Sequence, residues 1–146
     1  MFIARQPIFR RDMNVYGYEL LFRGDKYSST FDQPESEAGK ATAAVLTSLY
    51  ESGLTNLVEG RLAFVNFDES VLLTDIDGIF ESNSIVIELT SDVVITEQLE
   101  ARLRELKYSG FRLAMNNASI EKIEPIADIV DIAKISITDV DWDTIE

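Results

Sequence analysis

Six side chains in this sequence are candidates for chemistry: Glu19, Arg23, Asn66, Glu88, Asn116 and Lys134. Each falls in a strand-like apolar segment rather than in a polar loop. A carboxylate surrounded by apolar neighbours is costly to bury alone, so Glu19 and Glu88 each demand a cation, a metal or a dense set of hydrogen bonds. The composition narrows which of these applies. The chain has no histidine and no cysteine. Imidazole and thiolate ligands, a Ser-His-Asp arrangement and disulfides are thereby excluded, and any metal would be a hard cation such as magnesium, calcium or manganese held by oxygen atoms.

The elements that must position these groups alternate. Phe2–Phe9 and Tyr16–Arg23 read as two strands joined by a turn at Asp12 to Asn14, hence a hairpin. Residues 24–36 read as a loop, and Ala38, Ala41, Val45 and Leu49 recur at helical spacing up to a stop at Gly53. Strands follow at Arg61–Phe67, Ser84–Thr90, Phe111–Asn117 and Ile129–Ile137. A short helical piece begins at Asp68, a longer helix runs from about Thr96 to Gly110, and a brief one opens near Ser119 and is cut short by Pro125. Strands alternating with helices imply parallel β–α units with both sheet faces covered.

Strand parity then selects one polar residue near the carboxyl end of each strand. Gly17, Glu19, Leu21 and Arg23 point one way, and Tyr16, Tyr18, Leu20 and Phe22 the other. By the same rule Asn66 shares a face with Leu62 and Phe64, Glu88 with Val86, Asn116 with Ala114, and Lys134 with Ile132. In α/β folds ligands sit at the carboxyl ends of the strands, so Glu19, Asn66, Glu88, Asn116 and Lys134 are expected at one mouth. Plainer roles compete: an internal Glu19–Arg23 pair, Asn66 and Asn117 as helix caps, Lys134 as a neutralising partner of Glu88, and Asp131 as a solvated acid.

The net charge of −13 argues against a nucleic-acid partner. The four arginines Arg5, Arg10, Arg11 and Arg23 make the start of the chain the place for a small anion, although Arg10 and Arg11 fit an exposed hairpin tip better. No apolar run spans a membrane and the N-terminus lacks a signal-peptide core, which predicts a cytoplasmic protein. At 146 residues one domain is expected, covering 1–146.

The motifs resemble those of the EAL domains, bacterial cyclic di-GMP phosphodiesterases built as a TIM-type barrel. Glu19-Leu-Leu-Phe-Arg23 is similar to their Glu-Ala-Leu-x-Arg, and Val65-Asn66 to their Val-Asn strand end. Glu88-Leu-Thr90 resembles Glu-x-Thr, Gly110 to Asn117 aligns with Gly-x-x-x-Ala-x-Asp-Asp, and Lys134-Ile-Ser136 lies where the family has Lys-x-Asp. The opening strands look most like a degenerate subgroup in which the domain precedes an HDOD domain. The resemblance implies an α/β fold, a partial TIM-type (β/α) barrel with an N-terminal β-hairpin and about five barrel strands. It further implies Glu19, Asn66, Glu88 and Asn116 as metal ligands, Arg23 as a contact to a ligand phosphate and Lys134 as a catalytic group at the attacking water.

The departures weaken that assignment. Asn116 and Asn117 stand where the family has paired aspartates, and Ser136 and Ser91 replace two further acids. Two lost negative ligands remove much of what holds two cations together and lowers the pKa of a bridging water. A full barrel takes about 250 residues, so a fragment is expected rather than a natural half-barrel. The expectation is a non-catalytic regulatory or interaction module with a vestigial site, in which magnesium or manganese binds weakly and none is resident. Cyclic di-GMP would bind weakly, an HDOD domain would follow, and the isolated chain would form a homodimer. Active hydrolysis of cyclic di-GMP and non-hydrolytic binding as an effector are the alternatives.

Overall fold

The computed structural model describes residues 2–23, 53–116 and 120–135. The helix expected around Ala38 to Leu49, Asn117 and the acidic stretch after Ser136 lie outside them. Six strands form a single mixed sheet in sequential order. Strands β1 (Phe2–Phe9) and β2 (Val15–Arg23) pair antiparallel. Beyond β2, strands β3 (Leu62–Phe67), β4 (Ile85–Leu89), β5 (Arg112–Asn116) and β6 (Ile132–Lys134) add in parallel. The result is a partial (β/α) barrel with an N-terminal hairpin, as the sequence predicts.

One face of the sheet is covered by helices. Ala63, Val65 and Phe67 of β3, Ile85, Ile87 and Leu89 of β4, and Leu113 and Met115 of β5 pack there in the main core. Helix α1 (Leu54–Leu57) precedes β3, and α2 (Glu69–Leu72) follows it with Asp68 accepting a hydrogen bond from the Val71 N–H. Helix α3 (Glu97–Tyr108) contributes Leu99, Leu103 and Leu106, all buried, at the spacing of a single stripe. Thr96 caps it through the Leu99 N–H, and Gly110, at φ +98°, makes the left-handed turn into β5. A short helix α4 (Ile120–Ile123) runs into a 3₁₀ turn at Glu124–Ile126, where Pro125 stops the α pattern.

Arginines tie the helices to the loops around them. Arg102 donates to the carbonyls of Leu72 and Thr74 and pairs with Asp77. Arg104 pairs with Glu100 and Asp128 and donates to the Pro125 carbonyl. Arg5 lies over the Tyr18 ring and donates to the Leu57 carbonyl and Glu59, which also accepts from the Tyr18 hydroxyl. This last cluster fixes α1 to the hairpin, with Arg5 as its brace.

Three details depart from the sequence-based expectation. The register slips between Ile8 and Phe9, which pair with Gly17 and Val15, so Tyr16 is an extra residue on β2. The bulge turns Tyr16 onto the same face as Phe64, with ring centroids 5.9 Å apart, instead of the Tyr18 face. Gly53, at φ +76°, opens α1 as well as following the expected helix. Finally, β6 is shorter than Ile129–Ile137. Ile129 and Val130 close the turn from Ile126, and Asp131, though exposed, is held by the Leu113 N–H and Lys107, which gives it a structural role.

Candidate functional site

The opposite face of the sheet carries the polar residues. Its floor is a smaller apolar cluster of Phe64, Val86 and Ala114, flanked by Ile8, Tyr16, Leu62 and Ile132. Above it, nearer the carboxyl ends of the strands, the register pairs Asn66 with Glu88 and Asn116 with Lys134. Glu19 on β2 is opposite Phe64 in the ladder. Parity therefore does bring Glu19, Asn66, Glu88, Asn116 and Lys134 to one face, as expected.

The centre of the group is an ion triad. The Lys134 ammonium donates to Glu19 Oε2 at 2.7 Å and to Glu88 Oε1 at 2.7 Å. It also stands 6.0 Å from the centroid of the Phe64 ring, close enough for a cation–π attraction. Phe64 was not among the sequence candidates, although its parity with Asn66 was available to find it. The pairing answers the question posed by the two strand carboxylates: their cation is Lys134 on β6, which reaches Glu88 past β5 and Glu19 past β5, β4 and β3 in the strand order. The side chain of Arg23 lies outside the described residues.

Burial sets the protonation of the triad. Glu88 is 0% exposed, and this loss of water pushes its carboxyl above the usual carboxylate range; the hydrogen bond from Lys134 opposes the rise, and the nearby charge of Glu19 adds to it. Burial works against the charged form of Lys134 too. Its hydrogen bonds to Glu19 and Glu88, with the attraction of both carboxylates, outweigh that cost and raise the ammonium above its ordinary value of 10.5.

Two acceptors in the group have no donor among the described residues. Glu88 Oε2 and Asn66 Oδ1 are both buried, and neither has a hydrogen-bond partner among the described residues. An unsatisfied buried acceptor is unfavourable unless a group from outside the chain meets it. These two lie on neighbouring strands in register with one another, on the face that carries Glu19. An oxygen-only donor set of Glu19, Asn66 and Glu88 fits a hard divalent cation. Asn116, on the same face, adds an amide and no further negative charge. Asn66 is not a helix cap, since Asp68 performs that task for α2.

Two shallow depressions lie at the other end of the strands. One, of about 510 Å³, is lined by Asp77, Phe80, Glu81, Ser82, Asn83, Ser109 and Phe111. The other, of about 180 Å³, shares Glu81 and Asn83 and adds Arg61 and Ser84. Neither touches the ion triad. No helix among the described residues is long and apolar enough to cross a membrane.

Comparison with known proteins agrees with the fold. No family model matches the chain. An uncharacterized protein of Bacillus subtilis, YuxH, is 34% identical over 141 residues, which is 92% of this chain and 34% of that protein. The cyclic di-GMP phosphodiesterase CdgJ of Vibrio cholerae is 30% identical over 137 residues, 90% of this chain and 31% of that protein. The chain thus spans about a third of the length of each of these relatives. Among solved structures, the YkuI protein of Bacillus subtilis, with an EAL domain and in complex with cyclic di-GMP and calcium, superposes with a TM-score of 0.57 at 21% identity. The match covers 91% of this chain and 40% of that one. The fold is that of the N-terminal part of an EAL-type domain.

Proposed function

We propose that this chain with an EAL-type fold serves as a regulatory, non-hydrolytic module of bacterial cyclic di-GMP signalling. The observation that carries the reading is the count of carboxylates at the strand ends. Among the described residues only Glu19 and Glu88 gather there, Asn66 and Asn116 supply amides, and Lys134 already neutralises both acids. Polarising a water for attack on a phosphodiester takes a pair of cations or a strong general base. Magnesium or manganese would be held by Glu19, Asn66 and Glu88 and would supply Lewis-acid chemistry when bound. The residues present suit one weakly held ion.

Cyclic di-GMP is the candidate ligand because CdgJ and YkuI are described as acting on it or binding it. Arg23 is the residue we assign to a ligand phosphate. Binding is expected to be weak, since a protein of charge −13 repels an anionic dinucleotide at long range. A cytoplasmic location, a following HDOD domain and dimerisation of the isolated chain complete the proposal.

Calorimetry with cyclic di-GMP, with and without manganese, tests it when the same samples are analysed for linear product. Weak, metal-assisted binding without product supports the module. A tight complex formed without metal would favour an effector that binds without cutting.

A further inference from the structure

The structure assigns Lys134 a second role: we propose that its ammonium is an internal competitor for the divalent cation, so that an ion enters the carboxylate pair only by displacing it. The proposal rests on the reading of Glu19, Asn66 and Glu88 as an oxygen donor set. It goes further in making occupancy of that set a choice between two cations, one of them built into the chain.

The geometry supports competition over coexistence. Lys134 takes one oxygen from each acid, Glu19 Oε2 and Glu88 Oε1, at equal distances of 2.7 Å. It therefore lies between the two carboxylates, where an ion held by both would also have to lie. A dication there would face the ammonium at contact distance in a setting where Glu88 is 0% exposed, and screening by water is weak. The attraction of Lys134 for the pair would become repulsion from the ion. The lysine has somewhere to go, because its side chain is 26% exposed while ending on a fully buried acid. Four flexible methylenes allow it to swing outward without moving β6.

The buried acceptors make the exchange directional. Among the described residues Glu88 Oε2 and Asn66 Oδ1 have no partner while Lys134 holds Glu88 Oε1. A cation reaching them gains ligands that the ammonium does not use. The ammonium is thus a placeholder that neutralises Glu19 and Glu88 but leaves two acceptors unmet, and its removal should expose a stronger cation site.

The test compares manganese affinity in the wild type and Lys134→Met by calorimetry, with Glu88→Gln as the variant lacking a charged donor. The expected result is at least tenfold tighter manganese binding by Lys134→Met and loss of binding by Glu88→Gln. Unchanged or weaker binding by Lys134→Met, with the wild type still binding, overturns competition while leaving the donor set intact. Failure of both the wild type and a folded Lys134→Met to bind manganese at millimolar concentration overturns the donor set as well. A measurement on the wild type covers the case in which Lys134→Met does not fold. In protein labelled with ¹⁵N-lysine, the Lys134 ammonium resonance should shift to a solvent-like position as magnesium is added. A resonance unchanged at magnesium saturation overturns the proposal.

Discussion

Lys134 Nζ lies 2.7 Å from Glu88 Oε1 across a sequence separation of 46 residues, joining the last described strand to the buried centre of the sheet. Glu88 is wholly buried and Lys134 partly so. Removing the lysine strands the Glu88 carboxylate in a site that cannot hydrate it, whereas removing the Glu88 charge as well leaves only Glu19, which keeps some access to water, without its partner. Lys134→Met is expected to cost about 3 kcal/mol of unfolding free energy. The double variant Lys134→Met with Glu88→Gln should cost less than the sum of the two single changes. Urea denaturation of the four proteins gives the cycle, and strict additivity would show that the pair is not coupled.

Gly17 pairs with Leu62, and β2 passes close against β3 there. A Cβ built there would sit 2.6 Å from the Leu62 carbonyl oxygen and 3.0 Å from the Phe64 ring. The carbonyl belongs to the ladder and cannot turn aside, so Gly17→Ala should force the strands apart. A loss of about 1–3 kcal/mol is expected, typical of an overpacked site. A melting temperature equal to that of the wild type would contradict the close approach.

Acid should loosen the connection between β5 and β6. Burial alone would raise the Asp131 carboxyl, but the hydrogen bonds from Lys107 and the Leu113 N–H prevail and hold it below its ordinary 3.8. A carboxyl whose folded pKa is depressed contributes stability that is present above the unfolded value and lost as pH falls through the folded one. Asp77, paired with Arg102, acts in the same direction. Stability should therefore decline below about pH 4. Asp131→Asn keeps an acceptor for Leu113 and removes the titrating charge, so its urea midpoint should fall less steeply between pH 5 and pH 3 than that of the wild type; an equal slope would remove Asp131 from the account.

Among the described residues β6 is an outer strand of the sheet, and Ile135 just beyond it is 63% exposed. An open edge of this kind is a template for another chain. The apolar row foreseen from the sequence is reduced, because Ile129 and Val130 belong to the preceding turn. Light scattering after gel filtration should still give a dimer, converted to monomer by Ile135→Lys. A monomer at high concentration for the unaltered chain would sink the proposed self-association.

Much of the site was legible in the sequence because strand parity is a short-range rule. Glu88 and Lys134 each sit on a regular strand, and counting by two from Val86 and Ile132 places both on the correct face. Tyr16 escaped the same rule because the bulge opposite Phe9 inserts one residue and reverses the count. The partner of Glu19 escaped for a different reason. Arg23 is four residues away and Lys134 is 115 residues away, and no local pattern ranks the distant cation above the near one. The ends of β6 were likewise invisible. Ile129 and Val130 have strand-forming side chains, yet their backbone N–H groups are satisfied by Ile126 in a turn.

Turnover of cyclic di-GMP is the most direct measurement of the central claim, that two carboxylates neutralised by a lysine do not make a hydrolase. Purified protein incubated with cyclic di-GMP and an excess of magnesium or manganese is expected to yield no linear dinucleotide above the rate of a Glu19→Ala control. Metal-dependent product formation that Glu19→Ala abolishes would contradict the account.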